Sequence, residues 1–120
     1  MLVCFTTSGD DLDAPFDARF GRAPKYLIYD TENDTFRMAD NSGSAQASHG
    51  AGIQAAQAVA NLGVKAVVTG HCGPKAFRAL NAAGVDIYNT NAATVAEALE
   101  AFSTGALKPV GAPDVAGHWA

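Results

Sequence analysis

Gly70-His71-Cys72-Gly73-Pro74-Lys75 puts an imidazole, a thiol and an ammonium into one hexapeptide. Histidine and lysine donate hydrogen bonds to anions, and a cysteine sulfur is a soft metal ligand. Gly70 and Gly73 allow close backbone approach to a ligand or positive φ. Pro74 marks the first turn of a helix, where unpaired N–H groups and the dipole favour negative charge. The chemistry this suits is the binding of an anion, including one that contains a metal. The other reading of the same residues is a tight turn with His71 capping locally.

The elements around the hexapeptide follow from periodicity. Val64–Thr69 is short, apolar and β-branched, as expected of a strand buried on both faces. Leu2–Thr7 and Lys25–Asp30 are the first two strands, and Thr35–Ala39 is a third, on an edge, so the three make an antiparallel meander. A helix opens at His49-Gly50-Ala51-Gly52-Ile53 and stops at Gly63, with Ile53, Ala56, Val59 and Ala60 as its packed face. A second runs from Pro74 towards Ala82. Val85–Tyr88 is the fifth strand, and Thr94-Val95-Ala96-Glu97 is a capping box that starts a third helix with a Val95, Leu99, Phe102 core stripe.

The order β-β-β-α-β-α-β-α predicts an α/β domain: a single five-stranded mixed sheet with one antiparallel strand and three helices, resembling the ribonuclease-H-like arrangement. Residues 1–120 read as one domain, with 106–120 a loosely structured tail ending in His118-Trp119-Ala120. Asp40 to Ser48 has the composition of a lid or hinge.

Open α/β sheets bind ligands beyond the carboxyl ends of their parallel strands. Those ends are polar here, at Thr6 to Gly9, Gly70 to Lys75 and Asn89 to Asn91, which makes Ser8, Gly70, His71, Gly73, Lys75 and Asn89 candidate contacts. The loop from Ser8 to Pro24 is long for a connection. Phe16 and Phe20 pin it, and Arg19 and Arg22 either point into a cleft or pair with Asp13 and Asp17. His49 and Gly50 open the first long helix, where a histidine is either a solvated cap or a ligand.

Net charge is −4, which disfavours nucleic acid as a partner. Its distribution is uneven. Eight of the twelve carboxylates lie in the first forty residues, and none falls between Asn41 and Val85, where His49, Lys65, His71, Lys75 and Arg78 sit. Local potential decides what enters a cleft, and this block holds the hexapeptide. No run reaches the length of a membrane span and the start lacks the features of a signal peptide, so a cytoplasmic protein without membrane contact is expected. Two cysteines make no disulfide framework. Cys4 belongs to the core and Cys72 to an exposed loop.

Phe20-Gly21-Arg22-Ala23-Pro24 before a strand, His49-Gly50-Ala51-Gly52 opening a helix, Gly70 to Phe77, and Gly117-His118-Trp119 at the end occur in order along the chain. Together they resemble the dinitrogenase iron-molybdenum cofactor biosynthesis family. The resemblance covers essentially the whole sequence. It implies a non-catalytic carrier or scaffold for an anionic metal-sulfur cluster, either a molybdenum-copper sulfide cluster or an iron-molybdenum cofactor precursor. It also implies cofactor-assembly or ATPase proteins as partners. Backbone N–H groups, Arg19, Arg22, Lys75 and the histidines would hold such a cluster, with Cys72 the candidate bond to metal. One thiol cannot by itself hold an iron-sulfur cluster, so the cargo would bring its own sulfur.

Two other classes compete. One is an enzyme, a phosphatase or oxyanion reductase with Cys72 as nucleophile and Asp10, Asp11 or Asp13 reaching in as acid. The other is a regulatory module that binds a partner protein.

Overall fold

The structure, a computed structural model, describes residues 1–41 and 50–111. The proposed lid beyond Asn41, His49 and the His118-Trp119 ending lie outside the described residues.

Five strands, β1 (Leu2–Thr7), β2 (Lys25–Asp30), β3 (Thr35–Asp40), β4 (Ala66–Thr69) and β5 (Asp86–Asn89), form one sheet in the order β3-β2-β1-β4-β5. β2 runs antiparallel to both its neighbours, and β1, β4 and β5 are parallel. β2 is thus the single reversed strand of the expected ribonuclease-H-like sheet. The described helices are α1 (Ala51–Asn61), α2 (Pro74–Ala82) and α3 (Val95–Ser103).

Strand alternation divides the core in two. Ile28, Cys4, Val67 and Ile87 sit in register across four strands, and all face α1 and α2. The offset row Leu27, Phe5 and Val68 faces α3. Helix α1 packs through Ala51, Ala55, Ala56 and Val59. Of the expected face, Ala56 and Val59 are buried while Ile53 and Ala60 are only half-buried, so the packed face is rotated towards Ala51 and Ala55. The small alanines let α1 lie close against the sheet and α2, where a branched side chain would hold it off. α2 buries Ala76, Phe77 and Leu80.

The helix-face expectation for α3 holds at Val95, which is fully buried, and Phe102 meets Phe5 and Tyr88 edge-to-face at 6.5 and 5.0 Å. Its cap forms as the sequence requires, Thr94 Oγ1 accepting from Glu97 N at 3.2 Å. Part of the stretch read as a tail is tied down: Pro109 pairs with Tyr88, and Val110 N donates to Ile87 O at 2.7 Å along the β5 edge. Among the described residues no helix is long and apolar enough to cross a membrane.

Candidate functional site

Between the starts of α1 and α2 lies a cleft of about 530 Å³. One wall is Arg19, Phe20, Gly21 and Arg22; the opposite wall is His71 and the turn from Gly73 to Ala76; Gly52 closes the back.

The first wall is a strap, Asp17 to Arg22, laid along the residues that follow β4. Arg19 and His71 form a parallel β-bridge, with His71 N donating to Ala18 O at 2.8 Å. Gly70 permits this contact. A Cβ there would stand 2.6 Å from Ala18 Cα and 2.7 Å from Ala18 O. The close approach at Gly70 is therefore to the strap and not to a ligand, and neither Gly70 nor Gly73 takes positive φ. Tyr26 holds the strap from below, its ring stacked on Phe20 at 5.7 Å and its hydroxyl donating to Phe20 O at 2.9 Å. Burial above all, with the nearby Cys4 and Cys72 thiols, drives the Tyr26 hydroxyl far above the usual phenol range, so it is a fixed donor. Buried Asn41 donates to Ala23 O at 2.7 Å and Gly21 O at 3.3 Å, pinning the strap's exit.

The three described helix starts differ in a way that decides where an anion can go. At α3, Val95 N donates to Ala14 O, Ala96 N to Leu12 O and Glu97 N to the Thr94 hydroxyl, so its donors are consumed by the protein. At α1 and α2 the N-cap is a glycine, no side chain among the described residues caps the helix, and the first turn holds no acidic residue. These two starts meet at the cleft. A Cβ on Gly21 would stand 3.0 Å from Gly52 Cα, and one on Gly52 would stand 3.2 Å from Ala76 Cβ. The small residues bring both dipoles to one place, where they favour negative charge.

Among the described residues the cleft's charged side chains are all basic. Lys75 is exposed and in no ion pair among the described residues. Arg19 forms a fork on Asp17, Nε to Oδ1 at 3.1 Å and Nη2 to Oδ2 at 3.0 Å, so the ion-pair reading holds for it while it still lines the cleft. Burial pushes the Asp17 carboxyl up, but the hydrogen bonds and charge of Arg19 outweigh this and leave it below the ordinary value.

Of the sequence-predicted contacts, Arg19, Arg22, His71, Gly73 and Lys75 line one cleft. Gly50 is the N-cap of α1 at the cleft's edge, in a left-handed conformation. Ser8 and Asn89 do not line it: Ser8 follows β1 and is exposed, Asn89 ends β5 and is half-buried, and residues 12–16 pack beside them through the Pro15–Thr94 bridge and the bond from Phe16 N to Ala93 O. The exposed Cys72 expected from the sequence is corrected. Its residue is only 2% exposed and sits in the core cluster with Cys4, Phe20 and Tyr26. The chain leaves β4 extended, so successive side chains alternate, and with His71 turned out Cys72 turns in. Phe20, Gly21, Gly52, Pro74 and Ala76 complete the lining without having been singled out as contacts. The clustering of small residues in Phe20-Gly21-Arg22 and Gly50-Ala51-Gly52 was the signal for them. Among the described residues no three of His, Cys, Asp and Glu gather as a metal-ligand group.

The sequence family described as dinitrogenase iron-molybdenum cofactor matches residues 1–105. The chain belongs to this family. The fold of this family member matches the apo form of the orange protein from Desulfovibrio gigas with a TM-score of 0.91 and 37% identity, over 95% of this chain and 96% of that one. A NifB-type protein of Thermotoga, assigned to the DUF35 family, matches with a TM-score of 0.84 and 34% identity over 97% and 98%. An uncharacterised protein of Methanocaldococcus jannaschii is 31% identical over 91 residues, 74% of this chain and 77% of that protein.

Proposed function

We propose that this protein is a non-catalytic carrier of an anionic, molybdenum-containing metal-sulfur cluster, seated in the cleft between the starts of α1 and α2. The observation that carries this reading is the convergence of two helix N-termini, with no capping side chain or first-turn acid among the described residues, on a cleft whose charged lining residues among those described, Arg19, Arg22 and Lys75, are all basic. Membership of the iron-molybdenum cofactor family and the likeness to the orange protein support it.

The cargo is either a molybdenum-copper sulfide cluster or an iron-molybdenum cofactor precursor. Its sulfides accept hydrogen bonds from the helix starts, and its charge pairs with Arg22, Lys75 and the part of the Arg19 guanidinium not committed to Asp17. His71 adds a donor on the second wall. Burial of the Cys72 side chain favours a noncovalent seat over a bond from sulfur to metal. The same burial disfavours the cysteine-dependent phosphatase or reductase, whose nucleophile has to reach substrate. Cofactor-assembly or ATPase proteins are the proposed donors and acceptors, and the cytoplasm the proposed location.

Anaerobic reconstitution with tetrathiomolybdate and copper, followed by desalting, absorption spectroscopy and metal analysis, tests the reading. A coloured species that coelutes at fixed Mo:Cu stoichiometry is expected. Protein that emerges colourless and metal-free here and after incubation with iron-molybdenum precursors overturns it, leaving the partner-binding module.

A further inference from the structure

Two threonines near the ends of neighbouring strands have their side chains wholly inside the protein: Thr6, next to last on β1, and Thr69, last on β4, both 0% exposed. Everything before them in β4 is apolar, and in β1 the run Leu2 to Phe5 is apolar as well. A buried hydroxyl is costly unless bonded, and valine has nearly the same shape. The hydroxyls therefore require a partner.

That partner is the strap. The two Oγ1 atoms lie 3.0 Å apart; Thr6 Oγ1 donates to Asp17 O, and Thr69 Oγ1 donates to Ala18 O at 3.4 Å. Two consecutive strap carbonyls are thus taken by two adjacent hydroxyls. The backbone completes the attachment, with Asp17 N donating to Thr6 O at 2.9 Å and His71 N to Ala18 O. Ala18 is pressed against Gly70 from the other side. The next strap residue is Arg19, whose guanidinium is aimed by Asp17.

We propose that the buried Thr6–Thr69 pair is a latch that positions the Asp17–Phe20 strap, and so sets Arg19 opposite the His71 wall of the cleft. Neither threonine touches the cleft; both act through the strap. The consequence for binding rests on the cluster-seat reading above, whereas the latch itself does not.

The test uses the full-length protein and two independent readouts. Thr69→Val removes one hydroxyl at constant shape, and Thr69→Ser restores it. Amide hydrogen exchange reads the latch directly. In Thr69→Val the Asp17, Phe20 and His71 amides exchange faster while the β1–β2 ladder is unchanged, and Thr69→Ser returns them towards wild type. Unchanged exchange at these amides overturns the latch. Tetrathiomolybdate binding reads the consequence. Thr69→Val weakens it about three- to tenfold, the scale of one lost hydrogen bond. A double-mutant cycle separates positioning from general loosening: Thr69→Val is coupled to Arg19→Ala and additive with Lys75→Ala, which stands on α2. Equal coupling to both overturns the positioning role. If Thr69→Val does not fold, Thr6→Val, which removes the other hydroxyl of the pair, carries the same exchange and coupling measurements. A wild-type protein that binds no tetrathiomolybdate sinks the seat and leaves the latch to be judged on exchange alone.

Discussion

A Cβ on Gly52 would stand 3.2 Å from the Cβ of Ala76, so the first turns of α1 and α2 touch because position 52 carries no side chain. The contact holds two helix starts at one cleft. Gly52→Ala exchanges a crowded contact against better helix propensity and should be close to neutral. Gly52→Val adds bulk the contact cannot absorb and should cost about 1–3 kcal/mol of stability by chemical denaturation. A valine variant as stable as wild type would show that the helix starts are not held this closely.

Charge decides retention. Arg22→Glu and Lys75→Glu should each weaken retention of a thiomolybdate-type anion about tenfold or more and flatten its salt dependence, since each removes a positive charge that lines the cleft. Arg78→Glu, on α2 but outside the lining, is the control and should change little. Elution of bound molybdenum against salt concentration measures this, and parallel curves for wild type and both cleft variants contradict the seat.

Cys72 should behave as a core residue. Cys72→Ser exchanges a buried sulfur of the core cluster for a smaller, more polar hydroxyl and should lower stability by about 1–3 kcal/mol while leaving the absorption spectrum of the reconstituted protein unchanged. Both thiols should resist a thiol reagent in the native state and react on denaturation, because both are buried. A shifted spectrum would establish a sulfur–metal bond and refute the noncovalent seat.

Asp17 gives stability an acid limit. Burial raises its carboxyl, but the Arg19 hydrogen bonds and charge lower it more, so the folded value lies below the ordinary 3.8. Its contribution is therefore complete above that ordinary value and is lost as pH falls through the lower folded value. The stability gap between wild type and Asp17→Asn should narrow below about pH 4, as followed by denaturation at a series of pH values. A gap that stays constant with pH would remove Asp17 from the account.

The alkaline limit has the opposite sign. Burial raises the Cys4 thiol from its ordinary 9.0 and the Tyr26 hydroxyl from its ordinary 10.0. Their contribution is present below those values and is lost as pH rises past them, because only the unfolded chain ionises there. Tyr26 should thus form tyrosinate only together with global unfolding, which absorbance and circular dichroism recorded on one sample would show. A reversible Tyr26 titration in folded protein would contradict the buried donor.

Local signals in the sequence determined the elements and their order. Apolar runs bounded by turn residues marked all five strands, and β1 and β2 are found at the expected bounds. Proline at the start of α2 and the Thr94–Glu97 box at α3 act within one turn, so they are legible in one dimension. The anion-free block from Asn41 to Val85 supplies two of the helix starts and the His71–Lys75 wall of the cleft, while both arginines of the cleft come from the acid-rich first forty residues.

What tertiary structure decided was direction and partnership. Cys72 faces the core because the chain continues extended past β4, and which of two alternating neighbours turns inward depends on what packs beneath. Gly70 is needed for Ala18, a residue 52 positions away that no spacing rule connects to it. Ser8 and Asn89 share the polar strand-end signal with His71, yet the helix start on their side gives its donors to Leu12 and Ala14 and they line no part of the cleft. Strand ends are chemically alike in sequence; only packing determines which of them stay open.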